Sequence, residues 1–133
     1  MVQALGFQQQ KGEQMSSYKL IKFESGTCAF CKSMDKTKVL EKFAAKHPDV
    51  QVIKCMIADD KGTPFKDGMK WADAYGIGAL PTLVLETDDG RELVREEGAM
   101  PLSAIEKLLD RAKARAAMGS LTAAPAEASN GKD

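Results

Sequence analysis

One histidine, one tryptophan and three cysteines among 133 residues leave little to build a metal centre from, and charge of either sign is not in excess, 19 Lys and Arg standing against 19 Asp and Glu. Without surplus positive charge, the attraction that drives nucleic-acid and anionic-membrane binding has no obvious source, so neither partner is expected. No stretch approaches the roughly 20 apolar residues of a membrane span, and Met1 to Gln10 lack a basic region followed by an apolar one. A cytoplasmic location is the expectation that follows. Three cysteines are too few, and odd in number, for a disulfide-stapled scaffold.

What is present suits one domain with a modest core: 44% of the residues are apolar. Tyr18 to Glu24 partly alternates in polarity and Ser25-Gly26-Thr27 breaks it, predicting a strand and a turn. From Cys28 to about Lys46 nothing interrupts a helix, whose apolar stripe includes Leu40, Phe43 and Ala44, and His47-Pro48 ends it. Val50 to Ile57 reads as a second strand, parallel to the first across a β-α-β crossover. After a loop rich in Asp, Gly and Pro (Ala58 to Gly68), a short helix carrying Trp71 and Tyr75 on one packing face ends at Gly76, a natural C-cap. Leu80-Pro81-Thr82 opens a third strand, and Asp89-Gly90 marks a hairpin into Leu93-Val94. Leu102, Ile105, Leu109 and Ala112 outline a final amphipathic helix, with Ser103 and Glu106 spaced as a capping box. The composition from Gly119 onward cannot bury enough apolar area to offset ordering. The expected division is an N-terminal extension or partial first element (1–17), a domain (18–118) and a disordered tail (119–133).

Cys28-Ala29-Phe30-Cys31 carries the chemistry. Two thiols at this spacing can close and reopen a disulfide, or supply half of a four-ligand zinc site; no second such pair and no nearby Cys/His pair completes the latter, so no metal is expected. The predicted strand-to-helix junction puts Cys28 at a helix N-terminus, where unpaired N–H groups and the helix dipole stabilise a thiolate. Cys28 is then the attacking nucleophile and Cys31, one turn on, the resolving thiol.

The element order, together with Cys28-Ala-Phe-Cys31-Lys32, Tyr75-Gly-Ile-Gly-Ala-Leu-Pro-Thr82 and Gly98-Ala99, resembles the thioredoxin family over about residues 18 to 112. The resemblance implies an α/β thioredoxin fold, a mixed four- to five-stranded sheet flanked by helices on both faces, and a protein thiol–disulfide oxidoreductase with no bound cofactor beyond a redox-active Cys28–Cys31 disulfide. It implies that the Leu80-Pro81 bond is cis and faces the dithiol, and that Leu80, Pro81, Thr82, Gly98 and Ala99 bind an extended substrate segment by strand addition. It also implies protein disulfides as substrates and a flavin-dependent reductase using NADPH as electron donor. Short loops and an ordinary surface composition make a monomer the expectation.

The departures lie around the dithiol. Thr27 replaces the family's Trp before the first cysteine, and Ala29-Phe30 replaces Gly-Pro. The family's buried acid aligns with Lys22 and a second Trp with Glu24, both on one strand face. A lysine near the pair favours thiolate and pushes the couple toward oxidant behaviour; a solvated or snorkelling lysine is the alternative. Cys55 reads as a small buried hydrophobe or as a third redox thiol, and His47 as a solvated loop residue. The loop around Asp59, Asp60 and Lys61 follows a strand's C-terminal end, where ligands bind in open α/β sheets; it shapes substrate choice or is an inert insertion. Three functions stay open: a disulfide reductase, an oxidant or isomerase-type exchanger, and a non-catalytic binding module in an assembly.

Overall fold

The computed structural model describes residues 2–4 and 17–122. Five strands, β1 (Val2–Ala4), β2 (Tyr18–Glu24), β3 (Val50–Met56), β4 (Thr82–Thr87) and β5 (Glu92–Glu97), form one mixed sheet in the order β1-β3-β2-β4-β5. β2 and β3 run parallel in the register Leu20↔Val52 and Lys22↔Lys54, as a crossover through one helical layer requires. β4 lies antiparallel on the other side of β2, and β5 returns antiparallel to β4 with a bulge between Leu85 and Glu86. Gly90, at φ 97, makes the hairpin turn. Within the N-terminal stretch, Val2–Ala4 form a short edge strand antiparallel to β3, and residues 5–16 lie outside the described residues.

Side chains alternate across the sheet, so β2 feeds two cores. On one face Leu20, Val52, Leu83 and Leu85 pack with helices α1 (Ala29–Lys36), α2 (Val39–Lys46) and α4 (Leu102–Thr122), around Phe43, Ile105 and Leu109. On the other, Ile21, Phe23, Ile53, Cys55 and Val84 pack under α3 (Lys66–Tyr75) through Ala72, with Trp71 and Tyr75 at the margin. Gly68 lets α3 lie close on β3, since a Cβ there would stand 2.1 Å from the Met56 carbonyl oxygen. Gly76 caps α3 in the left-handed region, at φ 65.

Four local expectations are corrected. The helix expected from Cys28 to Lys46 is two helices of 8 residues each, separated at Thr37-Lys38. Lys38 takes a left-handed conformation (φ 55), while Thr37 Oγ1 donates to the Met34 carbonyl at 3.1 Å and closes the first helix. Neither Gly nor Pro marks this break; it redirects α2 so that Val39, Leu40 and Phe43 reach the core. Ser103 and Glu106 form no capping box: Pro101 O accepts from the amides of Ala104 and Ile105, and the helix starts at Leu102, two residues earlier than that motif requires. Glu106 is instead held by His47, whose Nε2 lies 2.9 Å from its Oε2 and whose ring packs at a tilt against Phe43, so His47 is a packed residue. The final helix runs on through Thr122, past the expected start of the tail at Gly119; residues 123–133 lie outside the described residues.

Candidate active site at the end of the central strands

Cys28 is the N-cap of α1. β2 ends at Glu24, Ser25-Gly26-Thr27 turns the chain, and the Cys28 amide donates to the Ser25 carbonyl at 3.1 Å, which aims the first turn of the helix back along the sheet. The Cys31 amide points at Cys28 Sγ, 3.2 Å away, and supplies the hydrogen bond that an N-cap side chain ordinarily accepts through oxygen. A thiolate at this atom gains a charge-assisted hydrogen bond and the favourable end of the helix dipole. Cys28 and Cys31 are joined as a disulfide with Cα atoms 5.2 Å apart. Their surroundings differ: Cys28 is half-buried, whereas Cys31 is 1% exposed. Thr27, Ala29 and Phe30 are exposed beside them.

Strand pairing brings the second motif to the same end of the sheet. Phe23 pairs with Thr82, so Leu80 and Pro81 enter β4 beside the turn that leads to Cys28. The Leu80-Pro81 bond is cis, and Thr82 Oγ1 donates to the Ala79 carbonyl at 2.6 Å. Gly98, at φ 103, donates its amide to the Pro81 carbonyl at 2.8 Å, tying the Gly98-Ala99 segment to the same corner. Ala99 then lines a groove of about 450 Å³ with Met100, Leu102, Ser33, Met34 and Val39, running from the reactive helix to the start of α4.

Beneath α1 lies a buried charge cluster. Lys22 is wholly buried, and its ammonium lies 2.7 Å from Glu24 Oε1, 2.9 Å from Asp35 Oδ1 and 3.2 Å from the Cys31 carbonyl oxygen. Of the two readings of Lys22, the solvated one is excluded: the ammonium is wholly buried, with hydrogen bonds to Asp35 and the Cys31 carbonyl and an ion pair to Glu24. Lys54, the register partner of Lys22, adds an ion pair to Asp35 at 3.1 Å. Burial works to raise the Asp35 carboxyl, but hydrogen bonds from Lys22 and Lys54 outweigh it and hold the group below the ordinary aspartate range. Glu24, 1% exposed, is raised above the ordinary range by burial, against the pull of Lys22 and Lys54. Neither of its oxygens receives an aligned hydrogen bond.

Asp35 is a site residue that the motifs do not single out, although its place four residues after Cys31 puts it on the same helix face and is the signal that could have found it. Cys55 lies on the opposite face of the sheet, in the α3 core, with its sulfur 3.8 Å from the Gly68 carbonyl oxygen and burial pushing the thiol up to about 11. The loop between β3 and α3 packs on the reactive turn: the Gly26 amide donates to the Ala58 carbonyl at 2.9 Å, and a Cβ at Gly26 would stand 2.5 Å from the Asp59–Asp60 backbone. Asp59 Oδ1 fixes the loop by accepting from the amides of Lys61 and Thr63. Trp71 and Tyr75 stack on one another, and the Tyr75 hydroxyl donates to buried Glu86 at 2.7 Å, so both are packing residues of α3. Among the described residues no cluster of three or more His, Cys, Asp or Glu could hold a metal ion, and no helix is long and apolar enough to cross a membrane.

Comparison with known proteins decides the family. A model of the thioredoxin-like domain matches residues 7–113, most of the chain. The chain belongs to the thioredoxin family. Thioredoxin NaTrxh of Nicotiana alata is similar over 74% of this chain and 76% of that one, at 27% identity and a TM-score of 0.56. Oxidised mitochondrial thioredoxin 3 of Saccharomyces cerevisiae is similar over 73% and 81%, at 26% identity and 0.55. Fasciola hepatica thioredoxin, at 22% identity, 0.54 and a coverage of 75% and 85%, shares the fold. No curated protein sequence matches the chain. A thioredoxin-like domain bearing a Cys-x-x-Cys disulfide supports thiol–disulfide oxidoreductase chemistry in general.

Proposed function

We propose that this thioredoxin-family chain reduces protein disulfides by dithiol–disulfide exchange, with Cys28 as nucleophile and Cys31 as resolving thiol. The observation that carries this reading is the asymmetry of the pair: a half-buried Cys28 sulfur that accepts the Cys31 amide at 3.2 Å, beside a Cys31 that is 1% exposed. A substrate disulfide reaches Cys28 and not Cys31. The Cys28 thiolate attacks one substrate sulfur, releases the other as a thiol, and forms a mixed disulfide; Cys31 then attacks Cys28 and releases the reduced substrate. Leu80 presents backbone N–H and C=O to an extended substrate segment, Pro81, Thr82, Gly98 and Ala99 shape the corner beside it, and exposed Phe30 adds apolar contact. The dithiol is regenerated by a flavin-dependent reductase drawing on NADPH, and the protein works as a cytoplasmic monomer without a bound cofactor.

Dithiothreitol-driven reduction of insulin, followed by turbidity, tests the reading: wild type turns over and Cys28→Ser does not. Absence of turnover in folded, fully reduced wild type sinks it. One observation favours a second reading, an oxidant or isomerase-type exchanger: the buried Lys22 ammonium, 3.2 Å from the Cys31 carbonyl oxygen, stabilises negative charge at the pair and hence the reduced form. A reduction potential measured against glutathione separates the two, a value near that of thioredoxin, about −270 mV, supporting the reductase and one nearer −120 mV the oxidant. Full biological activity of a Cys28→Ser, Cys31→Ser variant points instead to a binding module.

A further inference from the structure

Charge that balances over the whole chain, 19 basic residues against 19 acidic, does not balance along α1 and α2. Lys32 and Lys36 follow Cys28 at successive steps of four residues, so they stand on one face of α1 with the reactive sulfur at its start. Lys38 and Lys42 repeat that step across the break and into α2. All four are exposed, and among the described residues none forms an ion pair. The acids of this region are already taken: Asp35 by Lys22 and Lys54, Glu41 by Lys54, and Glu106 by Lys46 and His47. A stripe of uncompensated ammonium groups therefore starts one helical turn from Cys28. The groove that opens from Ala99 runs beside it. Ser33 and Thr37 line the groove along α1, each next in the chain to a lysine of the stripe, and Lys42 lines it directly. Its apolar lining comes from buried Met34 and Val39 on one side and half-buried Met100 and Leu102 on the other.

We propose that this face docks the protein substrate and selects acidic ones: a segment flanking the reacting disulfide lays an apolar side chain in the groove and sets carboxylates against Lys32, Lys36, Lys38 and Lys42. The inference rests on the dithiol-exchange reading above and names the substrate class which that reading leaves open. Backbone pairing at Leu80 is indifferent to side-chain charge, whereas this face reads it. The exposed lysines act chiefly on encounter, drawing an acidic segment toward Cys28 and turning a basic one away, and salt screens them. The groove adds apolar burial, which salt does not weaken. Because the stripe begins one turn from Cys28, whatever it attracts is brought to the sulfur, as suits a partner that carries a disulfide.

Short peptides, each with one cysteine held as a mixed disulfide with nitrothiobenzoate, test this. The cysteine is flanked on both sides by Leu and Glu in the first peptide, by Leu and Lys in the second, and by Ser and Glu in the third. Release of nitrothiobenzoate by the reduced full chain gives a rate for each, divided by the rate of the same peptide with 2-mercaptoethanol to remove its intrinsic reactivity. At an ionic strength of about 25 mM the Leu/Glu peptide reacts about tenfold faster than the Leu/Lys peptide, and at about 0.5 M the ratio falls to about twofold or less. Exchanging Leu for Ser slows the reaction about fivefold at either salt. The double variant Lys36→Glu, Lys42→Glu reverses the low-salt order of the Glu and Lys peptides. Equal low-salt rates for those two peptides in wild type overturn the proposal, as does a preference for Glu that survives the double reversal in a folded chain. If that variant does not fold, Lys36→Gln, Lys42→Gln must shrink the low-salt ratio, and an unchanged ratio overturns the proposal equally. Equal rates for the Leu/Glu and Ser/Glu peptides overturn the part given to the groove. A wild type that reacts neither with the peptides nor with bis(2-hydroxyethyl) disulfide, an uncharged disulfide too small to span this face, overturns the dithiol-exchange reading, and this inference with it.

Discussion

The two faces of β2 are built from adjacent residues yet obey different rules. Ile21 and Phe23 enter an apolar core under α3, where Cys55 is packed beside the close approach of Gly68 and its thiol is pushed up to about 11. Lys22 and Glu24 point the other way, under α1, into a cluster of ammonium and carboxylate groups that reaches the backbone of Cys31. A cysteine on the first face has its thiol pushed up chiefly by burial; the pair at the end of the second is surrounded by helix N–H groups and fixed charge. Chemistry in this fold is set by which face of one strand a thiol sees.

The largest effect that tests this comparison is expected from Lys22→Met. It strands Glu24 and part of Asp35 without their cation in a buried site, and breaking such a pair from one side costs about 3–5 kcal/mol. Urea denaturation reads that cost, and a loss under about 1 kcal/mol, the range of exposed pairs, would mean the cluster is solvated. Gly68→Ala probes the apolar face, where the added methyl meets the Met56 carbonyl oxygen at 2.1 Å. Overpacking of this kind costs about 1–3 kcal/mol, seen as a lowered melting temperature without loss of dithiol reactivity. Cys55→Ala should cost about 1 kcal/mol through the small cavity it leaves, while insulin reduction persists. If turnover falls with it, Cys55 belongs to the redox chemistry.

The smallest effect concerns acid stability. Asp35 titrates below its ordinary 3.8 in the folded chain, so its contribution is present above that value and is lost as pH falls through the lower folded value. Asp35→Asn should therefore flatten the acid limb of a stability-against-pH curve, with the difference vanishing at strongly acidic pH. An unchanged limb would show that Lys22 and Lys54 do not hold this carboxylate in solution.

Much of this arrangement is legible in the amino-acid sequence. The dithiol at a strand-to-helix junction, the parallel crossover, the left-handed cap at Gly76 and the hairpin at Asp89-Gly90 all have local causes, in breakers and periodicity, and local causes are visible in sequence. Lys38 illustrates the opposite case. A lysine at φ 55 has no local preference for that conformation and adopts it because α2 must turn its apolar stripe onto the sheet. Glu106 is drawn from its capping pattern by a histidine 59 residues away. Alternation alone puts Lys22 and Glu24 on one face, but whether water or Asp35 meets them depends on how α1 lies across the strand.

The fit of Gly26 against the Asp59–Asp60 backbone has a consequence for motion. With the Gly26 amide bonded to the Ala58 carbonyl and no space for even a methyl group, the reactive turn and the loop after β3 move as one piece. The turn cannot yield to a bulky substrate unless that loop lifts with it. Deuterium uptake at the Gly26 amide is therefore a gauge of opening at the redox centre, read from a position that takes no part in the electron exchange.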